Sequence, residues 1–399
     1  MATLSIIIPA YNEEKAIGEI IGRILKEKEN ISKSSTIIDV ELIIVDDGSK
    51  DKTAEIAKQY SEVKVVTHKT NQGYGAALKS GFNVARGELL AFLDADGTYP
   101  PESLVCLCQA IIEKNADIVI GSRLSGGEKS KMPKIRYIGN RIFAFLLSWV
   151  ADKKVIDSAS GIRILKREIL SKLYPLPDGL DFTPAMSTRA IYENLKILEI
   201  PIAYEERVGQ SKLNPVKDGI RFLRSIIYFA KQYNPLKFFG SLGIICILFG
   251  FFLSIRPVTF YLFNRLVPEP YIYRLLFVLI MFVAGVNMVS FGIMANFILS
   301  IIHRQPLRPL WLSRLIYEKR LYGKFALIGF LLGLSGILIN IPSMAEYFTT
   351  GNITVHWSYF VTGAVLILVG LQLFSLGVLL KIVEDLSLRG IRAKEDMER

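Results

Sequence analysis

Asp94-Ala95-Asp96 lies directly behind the apolar run Leu89-Leu90-Ala91-Phe92-Leu93, the place of a loop at the C-terminal lip of a buried strand. Two carboxylates there can hold a hard divalent cation. A cation held by only one or two protein carboxylates keeps positions open for the oxygens of a substrate diphosphate. The pair therefore points to an enzyme that handles nucleotides. Asp-x-Asp is a short pattern, and alone it serves as readily in a turn or a cap; its weight comes from the series to which it belongs.

The elements that must position it are legible in the first half of the chain. Short apolar strands alternate with helical patterns: Leu4 to Ile8 then Glu13 to Lys28, Glu41 to Val45 then Asp51 to Tyr60, Val63 to Val66 then Gly73 to Arg86. Leu89 to Leu93, Pro101 to Lys114 and Asp117 to Ile120 continue the series. Such alternation predicts an α/β domain with a mainly parallel sheet, helices on both faces, and ligands at the carboxyl ends of the strands. Pro9-Ala10-Tyr11-Asn12-Glu13, Asp46-Asp47-Gly48-Ser49 and Asn71-Gln72-Gly73-Tyr74-Gly75 fall at those ends. Each has a plainer explanation, since Asn12 and Ser49 are ordinary cap residues and Gly73 and Gly75 suit a tight turn.

Taken in order, these segments and the aspartates resemble the glycosyltransferases of family 2, which have the nucleotide-diphospho-sugar fold called GT-A. The resemblance covers roughly residues 3 to 215. It implies that Pro9, Tyr11, Glu13, Asp46 and Asp47 bind the nucleotide, and that Asp94 and Asp96 bind a Mg or Mn ion and the diphosphate. The later segments Pro100-Pro101-Glu102, Gly121-Ser122-Arg123, Asp157-Ser158-Ala159-Ser160-Gly161 and Arg207-Val208-Gly209-Gln210-Ser211-Lys212 look like the polyprenyl-phosphate branch, which includes the dolichyl-phosphate mannose synthases. Enzymes of that branch load one hexose onto a lipid phosphate, and the resemblance implies anomeric inversion. Asp94, Asp96 and Arg123 are the catalytic candidates. Two departures matter. Thr98 stands where mannose synthases carry Gln, and Gly97-Thr98 looks more like the glucosyltransferase branch, which leaves GDP-mannose and UDP-glucose both open. The last motif has Arg207 two residues before its Gly where many relatives have three.

The chemistry also follows from charge. An acceptor phosphate is already anionic and needs no strong base; the harder task is to hold two anions together, which a cation and planar arginine forks perform. Arg123, Arg136, Arg207 and Lys212 are the acceptor-phosphate candidates, with Ser211 in the same motif and Asn140 four residues from Arg136, on one face of a helix. His68 and His303 fall outside every motif and are read as non-catalytic.

The second half of the 399-residue chain has a different character. Leu236 to Ile255, Leu275 to Ile302, Phe325 to Ile341 and Tyr359 to Leu380 are nearly uncharged and of a length to cross a bilayer. The third is the shortest, and Pro342 is expected to close it. Residues 1–214 thus form the catalytic domain, 215–235 an amphipathic interfacial helix, 236–382 a four-helix transmembrane domain and 383–399 a basic tail. Lys217, Arg221, Arg224, Tyr228 and Lys231 recur on one face of the interfacial helix, and Trp311 to Lys324 is a second basic amphipathic region. The loop from His303 to Lys324 is rich in Lys and Arg, whereas Ser343 to Ser358 has neither. That asymmetry predicts a cytoplasmic catalytic domain, and the high Lys, Ile and Leu content points to the cell membrane of a prokaryote. Met1-Ala2-Thr3 leads straight into a strand, so no signal segment is expected there.

The net charge of +11 fits membrane anchors and phosphate ligands, and no aromatic-basic module suggests nucleic acid. Cys106, Cys108 and Cys246 are too few and wrongly spaced for a metal or disulfide framework. Partners are therefore a nucleotide sugar, a polyprenyl or dolichyl phosphate and the bilayer, with a homo-oligomer allowed. A processive polysaccharide synthase is disfavoured because Gln305-Pro306-Leu307-Arg308-Pro309 is no Gln-x-x-Arg-Trp motif. A non-enzymatic lipid-linked sugar carrier is disfavoured because the aspartates and arginines are all present.

Overall fold

In the computed structural model, which describes residues 2–124, 134–151, 154–208, 215–303, 322–354 and 356–397, the apolar runs form the middle of a seven-stranded sheet. Its strands are β1 (Ala2–Ala10), β2 (Ile37–Asp46), β3 (Val63–Thr67), β4 (Leu89–Leu93), β5 (Ile118–Ser122), β6 (Ile162–Lys166) and β7 (Ile197–Pro201). They are ordered β3-β2-β1-β4-β6-β5-β7. All run parallel except β6, which pairs antiparallel with both β4 and β5. Both faces are covered, as the unbroken burial of β4 requires.

Alternation along the strands sorts the two layers. Leu4, Ile6 and Ile8 of β1 join the core cluster with α1 (Ile17–Ser34) and α4 (Ser103–Glu113), to which α1 contributes Ile17, Ile20, Ile21, Ile24 and Ile31 at helical spacing. On the other face Ile7 and Val45 meet Gly81 of α3 (Tyr74–Val84). There Phe82, Phe92 and Phe182 form a ring cluster with centroids 6.2 to 6.4 Å apart, Phe182 opening the helix Phe182–Tyr192. The Phe182–Tyr192 helix is α7; α2 (Thr53–Lys58), α5 (Lys134–Ala151), α6 (Leu170–Leu173) and α8 (Pro215–Tyr233) are the other α-helices described up to residue 233.

Several predicted boundaries shift. The first helix begins at Ile17 rather than Glu13, because Glu13 to Ala16 form a turn that carries loop residues into the site. β1 and β2 extend beyond the apolar core of their runs on both sides. The antiparallel strand β6 has a consequence the alternation could not reveal: Leu93 is opposite Ile162, so the next residues, Asp94 and Gly161, come together.

The chain divides into two units, Met1–Phe229 and Ala230–Arg399. The second is built from α9 (Pro235–Asn264), α10 (Glu269–His303), α11 (Tyr322–Thr350) and α12 (Trp357–Met397). All four contain stretches long and apolar enough to cross a bilayer, Pro235–Asn264, Glu269–Ile301, Gly323–Thr350 and Trp357–Leu386, and the chain is a membrane protein. The expectation that Pro342 ends the third span is corrected: α11 continues through it to Thr350, just as α9 continues through Pro257. A proline removes one helical donor, and in an apolar helix the neighbouring turn re-satisfies the freed carbonyl.

The four helices are two copies of one hairpin. In the first, Gly243 and Gly285 pack backbone to backbone, Gly250 meets Val278 and Phe282, and Gly292 meets Gly240. In the second, Gly329 packs on Gly370, Gly336 on Gly363 and Ile367, and Gly377 on Ala326. The pairs match position for position along both helices. The sequence repeats with them, Gly285-Val-Asn-Met-Val-Ser-Phe-Gly292 against Gly370-Leu-Gln-Leu-Phe-Ser-Leu-Gly377. Small residues allow such close approach in lipid, where packing rather than water exclusion drives association. Leu236, Ile293, Leu376 and Leu380 join the two hairpins in a small apolar cluster.

Candidate active site

β1 lies between β2 and β4, and the loops leaving its two neighbours diverge there, which opens a crevice at the carboxyl ends. A cavity of about 380 Å³ occupies it, lined by the loop after β1, Asp47, Asp94, Asp96, Arg207 and Arg221.

Asp94 is held from two sides. Tyr74 donates its hydroxyl to Asp94 Oδ1 at 2.7 Å, and Gly161 is packed so tightly against the carboxylate that a Cβ there would overlap it. Burial, and then the like charge of Asp96, push Asp94 up to about 7. Arg207 answers Asp96 directly, and a divalent cation could add a counter-charge that both carboxylates share. Asp96 accepts from Thr98 N at 3.1 Å and Thr98 Oγ1 at 2.6 Å through Oδ1, leaving Oδ2 toward Arg207 Nη1 at 3.1 Å. Among the described residues no group of three or more His, Cys, Asp or Glu converges. Asp94 and Asp96 could hold a hard divalent cation such as Mg or Mn as a two-carboxylate set, with its other positions open to substrate oxygens.

Arg207 also meets Glu13 Oε1 through Nη2 at 2.8 Å, while its Nε is buried without a hydrogen-bond partner. Its segment is fastened to the loop that carries Asp94 and Asp96, with Val208 N donating to Asp96 O and Glu205 N to Thr98 O, both at 3.0 Å. Arg23 of α1 clamps the same segment by forking between Glu102 and Glu205.

Asp47 is 3% exposed and fully engaged on one side. Its Oδ1 accepts from His68 Nδ1 at 2.7 Å and Gln72 N at 2.9 Å, and its Oδ2 accepts from Gly73 N at 2.8 Å. His68 Nε2 rests on Ser80 Oγ at 2.8 Å. Sequence reasoning set His68 aside because it lies outside the motifs; the structure makes it the support of one of them. Asp46, by contrast, does not line the cavity: it is buried and caps its own turn, accepting from Ser49 N at 3.2 Å.

The glycine turn has a structural reason. Gly75 N and Ala76 N donate to Asp178 O at 2.7 and 3.2 Å, and a Cβ at Gly73 or Gly75 would run into the carbonyls of Asp178 or Pro177. The N-terminus of α3 is therefore capped by a carbonyl, with Lys79 holding the same loop through Asp178 and the Leu176 carbonyl.

Arg123 does not line the cavity. Its Nε and Nη2 fork onto Asp157 at 2.8 and 2.7 Å, its backbone N joins at 3.0 Å, and its guanidinium lies 5.5 Å from the Tyr99 ring centroid. Tyr99 in turn accepts from Gly161 N at 2.7 Å, so the chain of contacts ends at Asp94. Burial alone raises Asp157, and the Arg123 charge and hydrogen bonds outweigh it and hold the carboxyl below its usual range. Arg163, fully buried, secures the same loop through the Ser158 and Ser160 carbonyls and Ser187. No sequence signal marked Arg163, since an arginine inside a strand run reads as a surface position.

Positions 136 and 140 fall one turn apart on α5 as expected; the Arg136 side chain, Ser211, Lys212 and the basic segment from Trp311 to residue 321 lie outside the described residues. Arg221 of α8 lines the cavity, with its Cδ near Gly179. α5 shows a further feature: Ile138, Ile142, Phe145 and Trp149 form one stripe, between 37% and 68% exposed. An uncovered apolar helix face beside basic residues suits a lipid headgroup boundary.

A model of "Glycosyl transferase family 2" matches residues 5–174, and one of "Domain of unknown function (DUF8752)" matches residues 235–394. The low-salt glycan biosynthesis hexosyltransferase Agl6 of Haloferax volcanii is 31% identical over 58% of this chain, and the match spans only 54% of that relative's length. The dolichyl-phosphate hexose transferase of the same organism is 30% identical over 56% of this chain and 92% of the relative. Among solved structures, glucosyl-3-phosphoglycerate synthase from Mycobacterium tuberculosis is similar over 57% of this chain and 80% of its own, at 20% identity and a TM-score of 0.46.

Proposed function

This chain belongs to glycosyltransferase family 2, and from that membership we propose that it transfers one hexose from a nucleotide diphosphate sugar to the phosphate of a membrane polyprenol such as dolichyl phosphate. The product is a lipid-phosphate sugar donor for glycan or glycoprotein assembly. The observation that carries the reading is a single cavity lined by Asp94, Asp96, Arg207 and Arg221. It offers a cation site and two guanidinium groups, the complement of two phosphate-bearing substrates.

In this reading Asp94 and Asp96 hold Mg or Mn, which when bound neutralises the departing nucleoside diphosphate. Tyr74 orients Asp94. Arg207 moves from Asp96 and Glu13 onto a phosphate oxygen, which also satisfies its buried Nε. Arg221, on the helix that leads toward the membrane spans, takes the acceptor phosphate. Arg123, its fork filled by Asp157, positions the loop behind Asp94 rather than touching substrate. Arg136, Asn140, Ser211 and Lys212 complete the acceptor side. The apolar stripe of α5 supports a lipid acceptor, because a soluble acceptor needs no such face. The asymmetry of loop charge supports a cytoplasmic catalytic domain, and the high Lys, Ile and Leu content supports a prokaryotic membrane.

Purified protein is offered labelled GDP-mannose or UDP-glucose with dolichyl phosphate and Mg or Mn, beside an Asp96→Ala control. Label entering organic-extractable lipid, and lost in the control, is the expected result. No label from either donor with an intact fold counts against the reading.

A further inference from the structure

The donor's base is the one part of the substrate whose recognition can be read atom by atom. Asp94 and Asp96 sit at the end of β4, and Asp47 at the end of β2, with β1 between. Two strand spacings separate them, roughly 10 Å, the order of distance from a diphosphate to the base it carries. The cation end takes the diphosphate, so the base falls to the end lined by Pro9, Tyr11, Asp47 and Asn71.

An ionised carboxylate has about four acceptor positions and no donor. At Asp47 His68 Nδ1 and Gln72 N fill Oδ1, and Gly73 N takes one position on Oδ2. His68 must donate from Nδ1, because the carboxylate has no proton to give, and Ser80 Oγ satisfies Nε2. One acceptor position remains, on Oδ2. Guanine presents two adjacent donors, its N1–H and its exocyclic amino group, and needs both oxygens of a carboxylate to pair with them. Uracil presents a single N3–H between two carbonyls, one of which the Asn71 amide can meet.

We propose that this chain takes a uridine diphosphate sugar, and that His68 sets the choice by filling the oxygen that guanine would require. The inference rests on the reading of the cavity as a nucleotide-sugar site.

The test is a calorimetric titration of the full-length protein in detergent with UDP, GDP, CDP and ADP, each with Mn. UDP binding at least about tenfold tighter than GDP is expected, the scale of a buried hydrogen bond left unmatched. His68→Ala opens Oδ1 and narrows the UDP-to-GDP ratio, whereas His68→Asn, which keeps a donor at the Nδ1 position, preserves it; melting curves check that both variants fold. GDP, CDP or ADP binding as tightly as UDP overturns the inference and leaves the transferase reading standing. Preference for UDP with a ratio unmoved in His68→Ala overturns the role of His68. Failure of all four to bind folded protein overturns the nucleotide-sugar reading itself.

Discussion

Arg207 Nη1 lies 3.1 Å from Asp96 Oδ2, with Nη2 of the same guanidinium 2.8 Å from Glu13 Oε1. Under the proposed function a cation on Asp96 competes with this contact, and Arg207 exchanges a carboxylate for a phosphate oxygen when metal and nucleotide enter together. Arg207→Ala is expected to lower kcat/KM for transfer by about 10²-fold or more, the scale of one lost charge-stabilising donor. Nucleotide binding measured without acceptor should fall much less. A variant that keeps wild-type transfer would remove Arg207 from the site.

Asp157 and Arg123 form a buried ionic fork. Asp157→Asn leaves a buried guanidinium uncompensated, at a cost of about 3–5 kcal/mol, and thermal unfolding should shift down by roughly 10 °C or more.

The same pair fixes a pH dependence. The folded carboxyl of Asp157 is held below its ordinary value of 3.8, so its contribution to stability is complete above that value. It is lost as pH falls through the lower folded value. Acid titration of wild type should show a stability loss in that window that Asp157→Asn lacks; identical acid profiles would contradict the assignment.

Gly75 and Gly22 make opposite predictions from one substitution. A Cβ at Gly75 meets the Pro177 carbonyl, whereas at Gly22, inside α1, nothing lies within 4 Å. Gly75→Ala should destabilise by about 1–3 kcal/mol through overpacking, and Gly22→Ala should stabilise by up to about 1 kcal/mol through helix propensity. Chemical unfolding of the two variants checks both signs.

The α5 stripe predicts a separation of substrates. Phe145→Glu, at a residue 68% exposed, should leave nucleotide affinity within about twofold, as surface substitutions do. It should weaken use of long-chain polyprenyl phosphates at least about tenfold, since a charge at the lipid boundary opposes insertion. Equal loss with a short, water-soluble acceptor would point to a folding defect instead.

The hairpin repeat predicts equivalent lesions. Gly285→Leu and Gly370→Leu each force a side chain into the facing backbone and should lower detergent-solubilised melting temperature by similar amounts. A large effect at one and none at the other would break the equivalence.

The series of loops was legible because each follows a run of apolar residues with strand periodicity, and because Asp94, Asp96, Asp47 and Glu13 are carboxylates placed where such runs end. The four apolar spans were legible for the same reason, as hydrophobicity is written locally. The repeat within them was also written there, in Gly285 to Gly292 and Gly370 to Gly377, and only the packing drew attention to it. Pro342 misled because a proline is read by its local effect, whereas an apolar helix tolerates it through its neighbours.

What the sequence alone determined is the α/β order, the apolar spans and the chemical types gathered at the strand ends, since these depend on near neighbours in the chain. The partners of those residues depended on strand order. Inserting β6 antiparallel beside β4 set Gly161 against Asp94, and the loop before it set Asp157 against Arg123, whose guanidinium fork that carboxylate fills. His68 became the brace of Asp47 because the ends of β2 and β3 lie side by side. Contacts between residues far apart in sequence follow from register and crossover, which local pattern does not specify, and at this site they decide which charges remain free for a substrate.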